Sequence, residues 1–382
     1  SIYREISGGL DGPYARSARE GLIQKTLEKG YWELRVGEVK LALKTFLQLI
    51  EFSPHTVKAH RGYLQANAAL RKNAVRFYQD RLRSNPDSAV DHYALGLALT
   101  YLDPPALEEA EAEIGKALAQ NSQEVFYHQT LGWIYEQKER VESGFLEKAL
   151  HEYQIALALN DDEDSRNEAD LLLNLGNGHY LLNNPLSANH YYKEREDSGE
   201  PFLDSDREAV YRKRYGSAAF KSGAPRVAVT QFKKALKIEE KKNGRIAELH
   251  DRIALAYQDH GDYAQAVEHF TKSLELNRQA GNEASFSRTL RNIANNIYSG
   301  NKNNRDSEAM TRALNHYFQS IEKLEQFGVV EIKKKSSALI DINIEAGIGE
   351  DVSSAAHGFD KAGEMKLIFH YIGKIYGDFG HH

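Results

Sequence analysis

The sequence predicts an all-α protein built as a solenoid of stacked helical hairpins, and three observations carry that reading. The first is a repeated small-residue pattern. Gly176 to Ala188 is twelve residues and Ala188 to Tyr192 is four, and Gly216, Ala228 and Phe232 repeat both intervals forty residues later. One pattern recurring at fixed offsets is the signature of an array in which each unit buries its apolar face on its neighbours. The second is composition: 382 residues hold only eight Pro, with abundant Ala, Leu, Glu and Lys, the residues that favour helices. The third is that 41% hydrophobic and 27% charged residues can form a core without cross-links, and the chain has no cysteine.

Taken in order, residues 1–22 form an N-terminal segment with Gly8, Gly9, Gly12 and Pro13, and a helix is expected from about Ala15. Units one to four occupy 23–160. Gly30, Ala42, Phe46 and Pro54 stand at offsets 0, 12, 16 and 24, and Gly62, Ala74, Tyr78 and Pro86 each follow 32 residues later. The third unit has Leu95-Gly96, Ala110, Ile114 and Ala117, with Pro104-Pro105 marking a two-residue insertion in its turn. The fourth has Leu131-Gly132, Tyr135, Ala149, Tyr153 and Ala156, with a longer turn around Glu139 to Gly144.

Units five to eight occupy 161–326. The fifth and sixth are the pair described first. The seventh reads Ile253-Ala254, Tyr257, a Gly261-Asp262-Tyr263 turn, Ala266 and Phe270. The eighth reads Ile293-Ala294, an exposed polar loop from Ser299 to Ser307, then Ala313 and Tyr317. Residues 327–363 are a degenerate repeat or an irregular linker, because Gly347, Gly349 and Val352-Ser353-Ser354 interrupt the spacing. Residues 364–382 carry Ile372-Gly373 and Tyr376, half a unit whose second helix is missing, so the sequence reads as halted in mid-repeat.

Helix packing explains the pattern. Small residues at Gly30, Gly62, Gly96, Gly132, Gly176 and Gly216 let the first helix of a unit (helix A) approach its partner (helix B) closely. The alanines at the start of helix B serve the same approach. Aromatic residues such as Phe46, Tyr153, Tyr192 and Phe232 are expected to fill the space between units.

These positions resemble the tetratricopeptide repeat, over roughly residues 23–326 and again in the partial unit at 364–380. Two departures stand out: units five to eight are spaced nearer 40 than 34 residues, and Ala254 and Ala294 stand where the family favours Gly. The longer spacing is similar to arrays of the kinesin-light-chain or G-protein-modulator kind. The resemblance implies a right-handed α-α superhelix of about eight to nine and a half hairpins that holds an extended peptide or helix in a concave groove lined by the A helices.

Carried over by register, the groove positions of the second half are Asn174, Asn177, Lys213, Arg214, Arg252, Arg288, Arg291, Asn292 and Asn295. Asn can hydrogen-bond a peptide backbone with both ends of its amide, and Arg can grip a carboxylate with two N–H groups. The stripe therefore implies a protein or peptide partner of acidic character. Arg291 with Asn295 is similar to the family's carboxylate clamp, but Ser217 and Asp251 interrupt that clamp, so a strict reader of C-terminal carboxylates is not expected. Solvated polar residues on exposed helix faces are the competing reading. In the first half the corresponding positions are more apolar: Tyr31, Tyr63, Tyr93, Leu97, Gln129 and Trp133, a second contact surface or simply packing between adjacent A helices.

Other chemistry is not expected. A net charge of −6 argues against general nucleic-acid binding, and no apolar run approaches the ~20 residues of a membrane helix. Gly176-Asn177-Gly178 lacks the rest of a phosphate loop, and Asp378-Phe379-Gly380 has no kinase motifs around it. Fifteen His residues include no His-Glu-x-x-His pair, and Asp161-Asp162-Glu163-Asp164 lacks the glycine and terminal Glu of a calcium loop. No catalytic, metal or cofactor site is expected, and His381-His382 reads as native or as an affinity-tag remnant. The expectation is thus a non-enzymatic scaffold without cofactors, with a cytoplasmic setting favoured, although the chain starts without Met and a targeting segment could be missing. The alternatives are a regulatory arm of a larger effector or enzyme, and a homo-oligomer formed through the unfinished C-terminal repeat.

Overall fold

The computed structural model describes residues 13–66, 71–160, 165–202, 204–242, 246–281, 283–304, 306–326 and 361–378. The acidic run Asp161 to Asp164, most of the expected degenerate repeat, the residues before Pro13 and the final Phe379 to His382 lie outside them. The described residues form α-helices, one short 3-10 helix and turns, with no strand among them.

The chain divides into two compact halves, residues 1–200 and 201–382. The first contains α1 (Pro13–Arg35), α2 (Val39–Phe52), α3 (Val57–Ala66), α4 (Arg71–Ser84), α5 (Ala89–Thr100), α6 (Leu107–Gln120), α7 (Val125–Glu139), α8 (Leu146–Leu159), α9 (Ser165–Leu181) and α10 (Pro185–Asp197). The second contains α11 (Ser205–Lys221), α12 (Pro225–Glu240), α13 (Ile246–His260), α14 (Tyr263–Gln279), α15 (Glu283–Asn301), α16 (Ser307–Gln326) and α17 (Lys361–Asp378). Within each half, helices pack on their sequence neighbours. A helices also touch the next A helix, as α3 does α5 and as α15 does α17.

The hairpin turns follow from local chemistry. The A helices of four units end in the same way. Glu38, Asn184, Ala224 and Asp262 donate their N–H to the carbonyls of Glu33, His179, Ala219 and Tyr257, at 2.8–2.9 Å. The residue before each donor has positive φ: Gly37, Asn183, Gly223 and Gly261. This is the six-to-one closure that satisfies the last carbonyls of a helix, and only Gly or Asn adopts it cheaply. The long fourth turn uses a different device. The Glu139 carboxylate accepts from the N–H groups of Gly144, Phe145 and Leu146 at 2.6–2.9 Å, capping the start of α8. The expected loop from Ser299 to Ser307 is shorter than the sequence implies, because α15 runs through Asn301 and a 3-10 turn covers Lys302–Asn304. Tertiary packing of the long amphipathic α15 outweighs the turn-forming residues at its end.

The glycine pattern records close helix contacts. A Cβ on Gly132 would stand 2.7 Å from the Tyr153 ring, and one on Gly216 would stand 2.6 Å from Phe232. The aromatics therefore pack chiefly inside their own hairpin, not between units as expected. Phe46 is the exception, seated between Gly30 of its own unit and Gly62 of the next. Gly62 is thus not the counterpart of Gly30, despite the equal spacing in sequence. The structural counterpart is Leu64, four residues past His60 as Gly96 is past His92. The exact repeat in sequence goes with a shorter first helix in the second unit, since α3 ends two residues past Leu64 whereas α1 runs five past Gly30.

Gly176 and Gly178 explain the glycine pair that superficially resembles a phosphate loop. Two residues apart on a helix, they face nearly opposite directions. A Cβ on Gly176 would meet Tyr192 of α10 at 2.6 Å, and one on Gly178 would meet Leu150 of α8 at 2.5 Å. One helix is clamped from both sides, with no room left for phosphate.

Candidate binding face

The polar residues expected on the A helices prove to be unequal. In the first half, Asn174 and Asn177 are half-buried on α9. The Tyr192 hydroxyl donates to Asn177 Oδ1 at 2.8 Å. A hydroxyl donor identifies that atom as the carbonyl oxygen, which leaves the amide NH2 as a donor for something else.

In the second half, most of the expected cations are already engaged. Lys213 Nζ lies 2.7 Å from Glu239. Arg214 is half-buried beside it on α11. Arg252 donates through Nε and Nη2 to Glu248, at 3.0 and 2.8 Å, and through Nη1 to Ser217 at 3.0 Å. Ser217, which in sequence interrupts a clamp, therefore ties α13 to α11. Arg291 donates to Glu364 at 2.5 Å and to Asn292 at 3.2 Å, joining α15 to α17. Asn296, absent from the predicted stripe, donates to Gln258 at 2.8 Å and joins α15 to α13. The contacts of Arg252 with Ser217, Arg291 with Glu364 and Asn296 with Gln258 run from one A helix to the next, whereas Lys213 pairs with Glu239 on its own helix B, α12.

Two groups on α15 remain available. Arg288 is exposed and makes no hydrogen bond or ion pair among the described residues. Asn295 accepts from the Tyr317 hydroxyl, as Asn177 does from Tyr192, so its amide NH2 is left over. Arg288 and Asn295 are seven residues apart and share one face of the helix. Nearby on α13, Asp251 Oδ1 is buried with no hydrogen-bond partner. Burial pushes its carboxyl up to about 6, against the opposing pull of a hydrogen bond from Ser273 and the charge of Arg288. The α15 face is therefore a pair of outward donors beside a sequestered acid.

Of the first-half positions, Tyr63, Tyr93, Leu97 and Gln129 are buried in packing, whereas Tyr31 and Trp133 are half-buried; Tyr93 stacks on Tyr127 at 4.8 Å. Arg61 lies over the Phe126 ring at 4.3 Å and donates to Gln129 at 3.0 Å. Gln129 in turn donates to Asn167 at 3.0 Å.

A histidine column escaped the sequence reading. His60, His92 and His128 each place Nε2 at 2.8–3.0 Å from the carbonyl six residues earlier, at Pro54, Pro86 and Ser122. A carbonyl only accepts, so Nε2 carries the proton in all three. In the third and fourth repeats Nδ1 faces a helix-B carboxylate, Glu113 at 2.6 Å and Glu152 at 2.7 Å, so both ring nitrogens lie beside acceptors. Burial raises the Glu113 carboxyl, but hydrogen bonds from Lys116 and His92 outweigh it and hold that carboxyl below its ordinary value. In the second repeat Nδ1 faces the Tyr78 hydroxyl at 3.1 Å, a group that can donate. The neutral ring suits that site, and burial lowers His60 to about 4. In the seventh repeat the partner is another histidine: His250 Nδ1 and His269 Nδ1 are 2.9 Å apart. One of these must donate and the other accept, so the two rings are not both protonated. Burial and the neighbouring His250 lower His269 to about 4. The recurring interval from Pro54 to His60 and Pro86 to His92 was the signal that pointed to this column. The column belongs to the hairpins' interior: among the described residues no group of three His, Cys, Asp or Glu is placed to hold a metal ion.

The comparisons agree with this anatomy. Residues 247–280, the seventh repeat, match the tetratricopeptide repeat family. No curated protein matches the chain by sequence. Among solved structures the chain is similar to YrrB, described as a TPR protein with an unusual peptide-binding site, at 21% identity and a TM-score of 0.43, covering 53% of this chain and 93% of that one. It is also similar to a thermophilic TPR protein of Thermus thermophilus, TTC0263, at 20% identity and a TM-score of 0.39, covering 52% and 99%. BtubC from P. vanneervenii is similar at 14% identity and a TM-score of 0.38, covering 74% and 98%. Likenesses this loose carry no function across. The matched repeat carries the glycine-or-alanine seat, the helix-B aromatic and the A-to-B hairpin that recur along the array, and residues 247–280 are a tetratricopeptide repeat.

Proposed function

We propose that this protein is a non-catalytic interaction scaffold, and that α15 in the second half presents the main contact for an extended peptide or helix of acidic character. The protein-interaction role is the general use of tetratricopeptide arrays. The observation that supports α15 is the contrast along the predicted stripe: Lys213, Arg252 and Arg291 are neutralised by Glu239, Glu248 and Glu364, whereas Arg288 is exposed and unpaired among the described residues and Asn295 keeps a spare amide donor. An exposed guanidinium and an amide NH2 two turns apart suit a carboxylate followed by a backbone carbonyl. Arg252 and Arg291 then brace neighbouring A helices, and Lys213 braces α11 against its own helix B.

The test is Arg288→Glu, with Asn295→Ala as its companion. Partners recovered from native extract with the wild-type protein should be lost with Arg288→Glu while helicity is unchanged. Unaltered recovery with both variants would sink the assignment to α15. No partner identity follows from the face, beyond its acidic character.

A further inference from the structure

Five A-helix glycines, Gly30, Gly96, Gly132, Gly176 and Gly216, each lie under a bulky side chain of their own helix B, with the nearest atom 2.6–2.8 Å from where a Cβ would stand. Helix α17 has the same A-helix sequence, Ile372-Gly373 followed by Tyr376, and packs like an A helix on α15 and α16. It buries Met365, Ile368, Ile372 and Ile375 there. At Gly373, however, no atom of the described residues lies within 4 Å of the Cβ position. Among the described residues, the seat that holds a helix-B side chain elsewhere is open. Around it, Phe369 and Tyr376 are 41% and 40% exposed on the same helix face, seven residues apart. Lys366 and Lys374 flank that face and are exposed.

We propose that the outer face of α17 is a docking site for an amphipathic helix of a partner protein, one that seats a bulky apolar side chain over Gly373 and carries acidic residues on its flanks. The geometry of the seat is the one the array uses five times over. The flanking lysines select the charge of the incoming helix, and the exposed aromatic pair supplies the apolar contact that such a helix needs. This face is separate from Arg288 and does not depend on the α15 reading.

The chain has no cysteine, so Gly377→Cys gives a single reporter thiol one turn from the seat and leaves Gly373 itself without a Cβ. Maleimide labelling of the full chain should be fast. A capped synthetic peptide of residues 107–120 should slow it at least tenfold, because that segment is a helix B with four glutamates against one lysine and seats Ile114 over Gly96. The same peptide with Ile114→Asp should not protect, nor should the basic peptide of residues 71–84. Arg288→Glu should leave protection unchanged, and its failure to affect partner recovery would bear on α15 alone. Slow labelling of the dilute free chain means its own residues cover the seat, and labelling that slows with protein concentration means a second copy does; either overturns the proposal. So does fast labelling that millimolar acidic peptide fails to slow, or equal protection by the acidic and basic peptides.

Discussion

Gly176→Ala and Gly373→Ala should have opposite effects on stability, although both place the same methyl group at the same position of an A helix. At Gly176 the new Cβ would stand 2.6, 2.7 and 3.2 Å from three Tyr192 ring carbons. The ring cannot retreat easily, because Tyr192 is fully buried and its hydroxyl is held by Asn177. Overpacking of this kind costs ~1–3 kcal/mol, and three close contacts place it near the upper end. Replacing a mid-helix Gly by Ala returns about 1 kcal/mol of helix propensity, leaving a net loss of about 2 kcal/mol. At Gly373 the methyl meets nothing, so only the propensity gain of ~0.5–1 kcal/mol remains. Repeat arrays unfold in parts, so the measurement is hydrogen exchange by mass spectrometry over 165–197 and over 361–378, not a single melting point. Tyr192→Leu combined with Gly176→Ala should recover most of the loss, which isolates the ring as the cause. Substitutions that shift both regions in the same direction, or a loss at Gly176 that persists without the ring, would refute the seat argument.

Other consequences follow from the polar contacts. His269 sits at about 4, below its ordinary 6.5, so the unfolded chain takes up the proton first and the hairpin α13–α14 loses stability as pH falls from 6.5 towards 4, by ~1.4 kcal/mol per pH unit. Asp251, raised to about 6, acts in the opposite sense, because its folded form binds a proton first and gains stability below that pH. In an Asp251→Asn background the acid loss should therefore be steeper, and adding His269→Gln should flatten it, as read by exchange over 246–279 at pH 7 and pH 5. Arg291→Ala leaves Glu364 without its partner and should loosen α17 by about 2 kcal/mol, visible as faster exchange in 361–378 with 205–240 unchanged. Glu139→Ala removes acceptors from three backbone N–H groups and should fray the start of α8 by ~1 kcal/mol, measured as exchange at residues 144–150.

The architecture was legible because the array obeys a one-dimensional rule. A small residue on helix A and an aromatic on helix B recur together wherever two helices touch, so spacing located Gly132 and Tyr153, Gly176 and Tyr192, and Gly216 and Phe232 on their helices, while only the structure paired each aromatic with the glycine of its own hairpin. The same rule misled at Gly62, where a shorter helix A kept the spacing while Phe46 of the preceding unit took the seat. Register also placed the polar stripe on the A helices, but it carries no information on which acids stand opposite. Glu239 lies 26 residues from Lys213 and Glu364 lies 73 from Arg291, separations that no local pattern can pair. The sequence by itself determined the repeat, the hairpin and the helix faces, because helical periodicity and close packing are local constraints. Tertiary structure alone decided which cations are neutralised, which histidines are neutral and which glycine seat is open, because each depends on groups that meet only when distant helices stack.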